Sequence, residues 1–208
     1  MTQPIKLYRN PKSGHCHRVE LLLALLGLPY ETIDLDMANG EHKASDYLKI
    51  SPFGKVPAIR DGDYTLSDSN AILVYLTNTY ASQSDWLPSA PRELAEIQRW
   101  LTVAADQLFA GACAARLVKV FNAPLDHGAA VTNAHALLTI MDVHLSSREW
   151  LATDTISIAD IALYSYTAHA PEGGVDLSPY THVRTWLNRI EALPDFVAMP
   201  SSPIPELA

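Results

Sequence analysis

Residues 51–76 read SPFGKVPAIRDGDYTLSDSNAILVYL, in which two strand-like segments are followed by a helix-like one. Ala58 and Ile59 suit one short strand and residues 64–66, YTL, suit the next. Asp61-Gly62 between them predicts a tight hairpin turn, since both central residues of such a turn need positive φ. The apolar period then becomes helical, at Ile72, Tyr75, Leu76 and Tyr80. The stretch therefore predicts a β-hairpin that leads directly into a helix.

Two features of this stretch suggest a ligand site. Pro57 cannot donate into a sheet, and if Val56-Pro57 is cis, the Val56 backbone can pair with a peptide-like ligand. Asp68 and Ser69 stand at the predicted helix start, where side-chain oxygens commonly cap free N–H groups. In the alternative interpretation, the Asp68 carboxylate takes an ammonium, while Ser69 and the helix N–H groups take a carboxylate. Together they would hold both ends of an amino-acid-like group.

The N-terminal part of the chain alternates strands and helices. Residues 5–8 predict a strand, residues 19–26 a helix with one buried face, and residues 30–35 a second strand. Gly27 is placed to end that helix in the left-handed conformation. The crossover predicts a parallel pair of strands, and the polar residues 37–48 are compatible with a short helix. The predicted order βαβαββα is an α/β, thioredoxin-like arrangement.

The C-terminal part has no strand signal. After a predicted linker at residues 83–91, apolar stripes at helical spacing cover residues 94–108, 131–145 and 183–190. These stripes predict an all-α helical bundle. Ser157 and Asp160 have capping-box spacing, which is a structural device at the start of a buried helix.

These motifs together resemble the cytosolic glutathione S-transferases. The family pattern of Asn/Ser-Pro, Gly, Lys/Gln-Val-Pro, a hairpin and Glu/Asp-Ser stands here as Ser51-Pro52, Gly54-Lys55-Val56-Pro57 and Asp68-Ser69. The family's helical second domain carries a Ser/Thr-x-x-Asp box, matched by Ser157 and Asp160. The resemblance covers about the whole chain. It implies a thioredoxin-like glutathione-binding domain over residues 1–82 and an all-helical C-terminal domain over residues 90–208.

Composition and charge exclude several classes of protein. The net charge of −8, with no basic cluster, argues against a general nucleic-acid or membrane-surface role. The N-terminus lacks the apolar core of a signal peptide, and the longest apolar run, residues 21–28, is too short to span a bilayer. Two cysteines make no disulfide framework. We therefore expect a cytoplasmic protein with reduced thiols.

The loop at residues 12–16, KSGHC, leads into the first predicted helix, whose N-terminus carries about half a positive charge. A thiol held there ionises more easily than a free thiol, whose pKa is about 8.5. Ser13 is our first candidate for a hydroxyl that donates to the sulfur, and a plain helix cap is its alternative role. Tyr8, at the end of the first strand, is the second candidate, because the family's tyrosine classes carry theirs there. Cys16 is either reactive or a packed small side chain.

Residues 13–19, SGHCHRV, resemble the zeta-class motif Ser-Ser-Cys-x-Trp-Arg-Val. His15 stands where that class has Cys, and His17 where it has Trp, which argues against a zeta-type isomerase. The motif is similar to those of bacterial-type members with a serine or cysteine class N-terminus. His15, Cys16 and His17 are consecutive, which is poor spacing for one metal ion, so we predict no metal site.

The resemblance also implies two binding sites. Glutathione would be held by Ser13, His42, Lys43, Lys55, Val56, Pro57, Asp68 and Ser69, with the lysines or His42 at its glycine carboxylate. A mostly apolar second substrate would lie over the sulfur, between the domains, against Tyr8, Asn10, Phe109, Ala112 and Arg116. Core packing is an equally good interpretation of Phe109, and Arg116 could instead reach solvent or pair across an interface.

Three functions fit these features. The first is a glutathione S-transferase for detoxification, which activates glutathione as a thiolate for attack on a small electrophile. The second is a glutathione-dependent disulfide or peroxide reductase, and the third a non-catalytic glutathione- or partner-binding module. We expect the first. The family further implies a two-fold homodimer, with Phe53 and the face of the helix after Asp68 as contacts.

Overall fold

The computed structural model describes residues 3–205 and divides the chain into two compact units. The first unit runs up to Leu87 and includes Leu193–Pro200, so a late segment of the chain returns to it. The second unit runs over Pro88–Ala192 and continues from Ser201. The domain limits 1–82 and 90–208 stay a prediction from the sequence.

The first unit is built on a mixed four-stranded sheet. In chain order it contains β1 (Ile5–Arg9), α1 (Gly14–Leu25), β2 (Tyr30–Asp34), a short 3-10 helix (Glu41–Lys43), α2 (Ser45–Leu48), β3 (Ala58–Asp61), β4 (Tyr64–Ser67) and α3 (Ser69–Tyr80). The strand order is β2-β1-β3-β4, with β1 parallel to β2 and antiparallel to β3, which is antiparallel to β4. This confirms the predicted order βαβαββα and the parallel first pair.

The end of α1 follows its local sequence, whereas the hairpin differs by one residue. Gly27 has a φ of 62°, and the Leu28 N–H donates to the Leu23 carbonyl over 3.0 Å, which closes the helix as predicted. In the hairpin, Asp61 is still part of β3 and pairs with Tyr64. The turn residues are therefore Gly62, with a φ of 58°, and Asp63, so the prediction of Asp61-Gly62 as the central pair was wrong.

The second unit is all helical within the described residues. Its helices are α4 (Pro91–Ala105), a π-helical turn (Phe109–Cys113), α5 (Ala114–Phe121), α6 (His127–Leu145), α7 (Ile158–Ala168), a 3-10 helix (Ala170–Gly173) and α8 (Thr181–Glu191). The continuous run Pro91–Phe121 is long and apolar enough to cross a membrane, but half of its apolar window is buried within the chain. Core helices of water-soluble proteins have the same character.

The helix predicted over residues 94–108 ends at Ala105, and a kink follows at Gly111. Gly111 has φ −101° and ψ −106°, which are not helical values. A Cβ atom on Gly111 would lie 2.8 Å from the backbone nitrogen of Ala134 in α6. The helix therefore changes direction where its backbone touches the neighbouring helix, and only glycine fits there.

The predicted capping box at the start of α7 is present. Asp160 is fully buried and accepts from the backbone N–H of Ser157, 2.9 Å away, while Ser157 Oγ accepts from Ala159. Asp160 also accepts from the backbone N–H of Leu151 and from Nε1 of Trp186, at 2.9 and 3.0 Å. One carboxylate thus ties α7 to a preceding loop and to α8, which makes it the polar centre of this unit.

Candidate active site

The loop between β1 and α1 places Ser13 at the start of α1. The Ser13 N–H donates to the Asn10 carbonyl over 3.0 Å, and the Lys12 N–H donates to Asn10 Oδ1 over 2.9 Å. Ser13 Oγ accepts from the Cys16 N–H over 3.4 Å, so Ser13 is the N-cap of α1. Because the hydroxyl oxygen accepts in this contact, its proton stays available for donation. The capping role and the proposed catalytic role are therefore compatible.

Cys16 is a packed side chain rather than a reactive thiol. It is 1% exposed in the first turn of α1. Burial raises the pKa of its thiol to about 12, which outweighs the opposite effects of hydrogen bonds from Ser13 and Asn10. At neutral pH Cys16 is therefore a protonated thiol, and the interpretation of Cys16 as a nucleophile is not supported.

The start of α3 has an unusual backbone. Asp68 is the N-cap, with a φ of 87°, and its Oδ1 accepts from the Ala71 N–H over 2.9 Å. Non-glycine residues with such φ values are strained, and strained residues cluster at functional sites. The Asp68 side chain is exposed, while Ser69 is 5% exposed. The Asp68 carboxylate thus lies at the surface in a fixed, strained position.

Two side chains of α1 reach the start of α3. Arg18 is 1% exposed, and its Nη1 donates to Ser69 Oγ over 3.2 Å and to His15 Nδ1 over 3.0 Å. Burial, and then the charges of Arg18 and Lys55, hold the pKa of His15 well below its usual value. His15 is therefore neutral at physiological pH. The sequence reasoning assigned no role to Arg18, although a charged residue directly before the buried Val19 was a signal of one.

The remaining predicted glutathione residues lie in the 3-10 helix Glu41–Lys43 and in the loop before β3. Lys43 Nζ donates to the Gly54 carbonyl over 3.0 Å, and the Val56-Pro57 peptide bond is cis. A Cβ on Gly54 would lie 2.9 Å from the His42 carbonyl oxygen, so the two segments touch at this glycine. The exposed Lys55 completes the predicted set.

Two residues that the sequence analysis did not assign fix this loop. Tyr47 Oη donates to the Lys55 carbonyl over 2.7 Å, and Ser51 Oγ donates to the same carbonyl over 2.9 Å. The ring of Tyr8 lies 5.9 Å from the ring of Tyr47, and Tyr8 is half-buried in β1 opposite Ala58. Tyr8 therefore has a packing role in the first unit.

The residues predicted to contact a second substrate from the helical unit differ in exposure. Phe109 is 45% exposed, whereas Ala112 is 2% exposed and Arg116 is 1% exposed. Arg116 Nε donates to Glu172 Oε2 over 2.6 Å, and the two form a buried ion pair. This argues against Arg116 as a contact of the second substrate, and also against its reaching solvent, because its side chain is buried and its charge is paired inside the unit. The burial of Ala112 likewise removes it from a substrate wall.

Residues 3–205 contain no group of three or more His, Cys, Asp or Glu side chains that could hold a metal ion. The candidate site is therefore made of hydroxyl groups, two helix starts, two lysines and a buried arginine. Helix starts and cationic side chains favour anions, and the Asp68 carboxylate at the start of α3 is a group that can pair with an ammonium.

Comparison with known proteins identifies the family. Residues 3–78 match the family "Glutathione S-transferase, N-terminal domain", and residues 126–194 match "Glutathione S-transferase, C-terminal domain". The chain belongs to the glutathione S-transferase family. It is 33% identical to glutathione S-transferase 3 of Zea mays, with 97% of each chain covered. Membership carries the transferase function, with glutathione as substrate, and confirms the predicted family and the prediction of a glutathione transferase.

Solved structures of the family have the same fold. A glutathione S-transferase from Pseudomonas fluorescens is 33% identical, with a TM-score of 0.88 over 95% of this chain and 99% of that one. A possible glutathione S-transferase from Rhodopseudomonas palustris is 31% identical, with a TM-score of 0.88 over 97% of this chain and all of that one. These similarities confirm the predicted thioredoxin-like plus helical fold of the glutathione S-transferases.

Proposed function

We propose that glutathione binds at the starts of α1 and α3, with its sulfur beside Ser13 and its γ-glutamyl end at Asp68 and Ser69. The observation that carries this proposal is the packing of α1 against α3, which gives one unit two helix N-termini and their capping side chains. Each N-terminus favours negative charge, so one suits a thiolate and the other a carboxylate. The Asp68 carboxylate then pairs with the γ-glutamyl ammonium.

The rest of the tripeptide follows the loop before β3. The backbone of Val56, next to Pro57, pairs with the cysteinyl residue of glutathione. His42, Lys43 and Lys55 take the glycine carboxylate, and the polar surroundings of Lys43 support this role, because its ammonium is held by backbone carbonyl groups. Charge-assisted hydrogen bonds of this kind are the stronger ones in proteins.

The reaction we propose is transfer of the glutathionyl group to a small, mostly apolar electrophile. The bound thiol loses its proton to solvent, and the Ser13 hydroxyl donates to the resulting thiolate. A sulfur–carbon bond then forms, while the electrophile either expels an anionic leaving group or takes up a proton. Tyr8 and Asn10, near the start of α1, are our proposed contacts for the second substrate in this unit.

The burial of Cys16 bears on the alternative chemistry. A reductase that used its own thiol would need an ionised, accessible cysteine, and burial keeps the pKa of Cys16 at about 12. Any disulfide or peroxide reduction by this chain would therefore run through glutathione alone. This argues against a reductase that uses Cys16, while reduction through bound glutathione alone stays the alternative to conjugation.

Substitution of Ser13 tests the proposal. Ser13→Ala should lower kcat/KM for conjugation of a chlorodinitrobenzene by about tenfold or more, because the thiolate loses its hydrogen-bond donor. Cys16→Ala is the matched control and should change kcat/KM by less than about threefold. Tyr8→Phe removes the rival hydroxyl but keeps the ring that we propose as a substrate contact, so it should also change kcat/KM by less than about threefold. Loss of activity in Tyr8→Phe with retention in Ser13→Ala would overturn the assignment. Activity only toward disulfides, unaffected by Ser13→Ala, would favour the reductase.

We also propose a cytoplasmic homodimer. Phe53 is 77% exposed, which is unusual for a large aromatic side chain. Between α4 and α6 of the second unit lies an apolar groove of about 400 Å³, with Ile140 63% exposed beside it. We propose that Phe53 of one copy seats in the groove of a second copy. Sedimentation should give twice the chain mass of 22.8 kDa, and Phe53→Ser should shift it toward one chain.

A further inference from the structure

A buried arginine lies beneath the start of α3, where the proposed function places the γ-glutamyl group. Arg18 is 1% exposed, and its Nη1 lies 3.0 Å from His15 Nδ1, 3.2 Å from Ser69 Oγ and 3.5 Å from Asn70 Oδ1. All three of these atoms belong to neutral groups. The Nη1 group of the guanidinium thus faces the first turn of α3 from inside the unit.

The hydrogen-bond directions in this cluster follow from chemistry. A guanidinium only donates, so His15 Nδ1 must accept, and the single proton of the neutral imidazole is on Nε2. Ser69 Oγ also accepts from Arg18, so the hydroxyl proton of Ser69 must point away from the guanidinium. His15 Nδ1 is a long 3.5 Å from Ser69 Oγ and already accepts from Arg18. The Ser69 proton is therefore better placed to be donated to a ligand.

Acceptance from a cation strengthens the Ser69 hydroxyl as a donor, because hydrogen bonds in a chain polarise one another. A carboxylate that binds at the start of α3 would receive the Ser69 proton and the attraction of the charge behind it. The effect of Arg18 on such a ligand would pass through Ser69, since the arginine itself is buried.

We propose that Arg18, oriented by His15, is a positioning residue that makes the α3 start selective for the α-carboxylate of the γ-glutamyl group. The inference rests on the proposed function. His15 contributes the acceptor that holds one edge of the guanidinium, and Arg18 contributes the charge. The Asp68 carboxylate, which faces the ammonium in the proposed function, is not part of this mechanism.

Two glutathione analogues separate the carboxylate from the ammonium. γ-Aminobutyryl-Cys-Gly lacks only the α-carboxylate, and glutaryl-Cys-Gly lacks only the ammonium. Calorimetric dissociation constants for glutathione and both analogues are measured with the wild type and four variants. Three variants change the cluster: Arg18→Met, His15→Leu and His15→Asn. In His15→Asn the amide oxygen replaces the Nδ1 acceptor. The fourth variant, Arg60→Met, is a matched control at an exposed position of β3.

The wild type should bind glutathione about tenfold or more tightly than γ-aminobutyryl-Cys-Gly. The reason is that a hydrogen bond to a charged group contributes enough free energy to change the dissociation constant by at least about that factor. Arg18→Met should reduce this preference to about twofold or less, His15→Leu should reduce it at least about threefold, and His15→Asn should restore it. The preference over glutaryl-Cys-Gly should stay unchanged in every variant. A merely structural role would lower both preferences together, since Asp68 and Ser69 are adjacent.

Three outcomes overturn the inference. If His15→Leu and Arg18→Met keep the wild-type preference for glutathione over γ-aminobutyryl-Cys-Gly, the inference is wrong and the proposed function stays intact. If the preferences over γ-aminobutyryl-Cys-Gly and over glutaryl-Cys-Gly are lost equally, the inference is wrong as well. No binding of glutathione by the wild type overturns the inference and the proposed function together. If Arg18→Met does not fold, the His15→Leu and His15→Asn pair gives the result.

Discussion

Replacement of Glu172 by Gln would remove one charge from a buried ion pair while hardly changing the side-chain volume. Glu172 Oε2 accepts from Arg116 Nε over 2.6 Å. Its Oε1 accepts from His169 Nδ1 over 2.6 Å and from the Ser202 N–H over 2.9 Å. The Arg116 and Glu172 side chains are 1% and 4% exposed. Both oxygens of the Glu172 carboxylate therefore act as acceptors. A glutamine amide has only one acceptor oxygen, and its other group is the NH₂ donor.

The magnitude follows from the charge left behind. In Glu172→Gln, the amide oxygen can serve His169 and Ser202, but the NH₂ group then faces the Arg116 N–H. An uncompensated buried charge costs about 3–5 kcal/mol when one partner of a pair is removed. Since whole domains are stable by about 5–15 kcal/mol, the second unit should lose a large part of its stability.

Urea unfolding measures this loss. Three of the four tryptophans, Trp100, Trp150 and Trp186, belong to the second unit, so fluorescence reports mainly on it. The matched control is Glu96→Gln, which breaks the exposed pair with Arg99 and should cost about 1 kcal/mol or less.

A double variant separates the charge effect from packing. Arg116→Met combined with Glu172→Gln should recover most of the loss, because no charge is then left buried and the amide oxygen still accepts from His169 and Ser202. A loss in Glu172→Gln of less than about 1 kcal/mol, or no recovery in the double variant, would refute the reasoning.

Three further predictions concern pH, a thiol and a glycine. Burial alone would raise the pKa of Glu172, but His169, the Ser202 N–H and Arg116 together bring it below its usual value of 4.5. The wild type's advantage over Glu172→Gln in urea should therefore be full above pH 4.5 and shrink as the pH falls below it, and a constant gap down to pH ~3 would contradict this. Cys16, whose pKa burial raises to about 12, should resist iodoacetamide at pH ~8 until urea is added, and rapid alkylation of the native chain would count against the packed interpretation. Gly111→Ala should destabilise by about 1–3 kcal/mol because its Cβ would meet Ala134, whereas Gly128→Ala, whose nearest neighbour would be 3.5 Å away, should be neutral or stabilising; equal effects would contradict the close approach.

Features that depend on neighbouring residues were predictable from the sequence. The left-handed Gly27, the Ser157–Asp160 capping box and the order of strands and helices all arise from spacings of a few residues. Ser13 was likewise placed correctly at the start of α1, because a cap is a local feature.

Features that depend on partners distant in the sequence were not predictable in this way. Arg18 meets Ser69 and Asn70 across 51 and 52 positions, and Arg116 meets Glu172 across 56. No local pattern specifies such pairs, since they form only when helices pack. The hairpin was shifted by one residue for the same reason.

In the hairpin, the competing influence comes from α3. Asp61 Oδ2 accepts from Tyr75 Oη over 2.8 Å and from Tyr80 Oη over 2.5 Å. These tyrosines hold Asp61 in strand β3, and the turn moves on to Gly62 and Asp63. A turn dipeptide therefore predicted the presence of the hairpin but not its register.

The pKa of the thiol of bound glutathione tests the central proposal most directly. It is measured from the ultraviolet absorbance of the thiolate as a function of pH, with saturating glutathione, in the wild type and in Ser13→Ala. The proposal predicts a wild-type value at least about one unit below the ~8.5 of a free thiol, and a return toward that value in Ser13→Ala. A bound thiol that titrates like free glutathione in the wild type, or a lowered pKa that survives in Ser13→Ala, would contradict it.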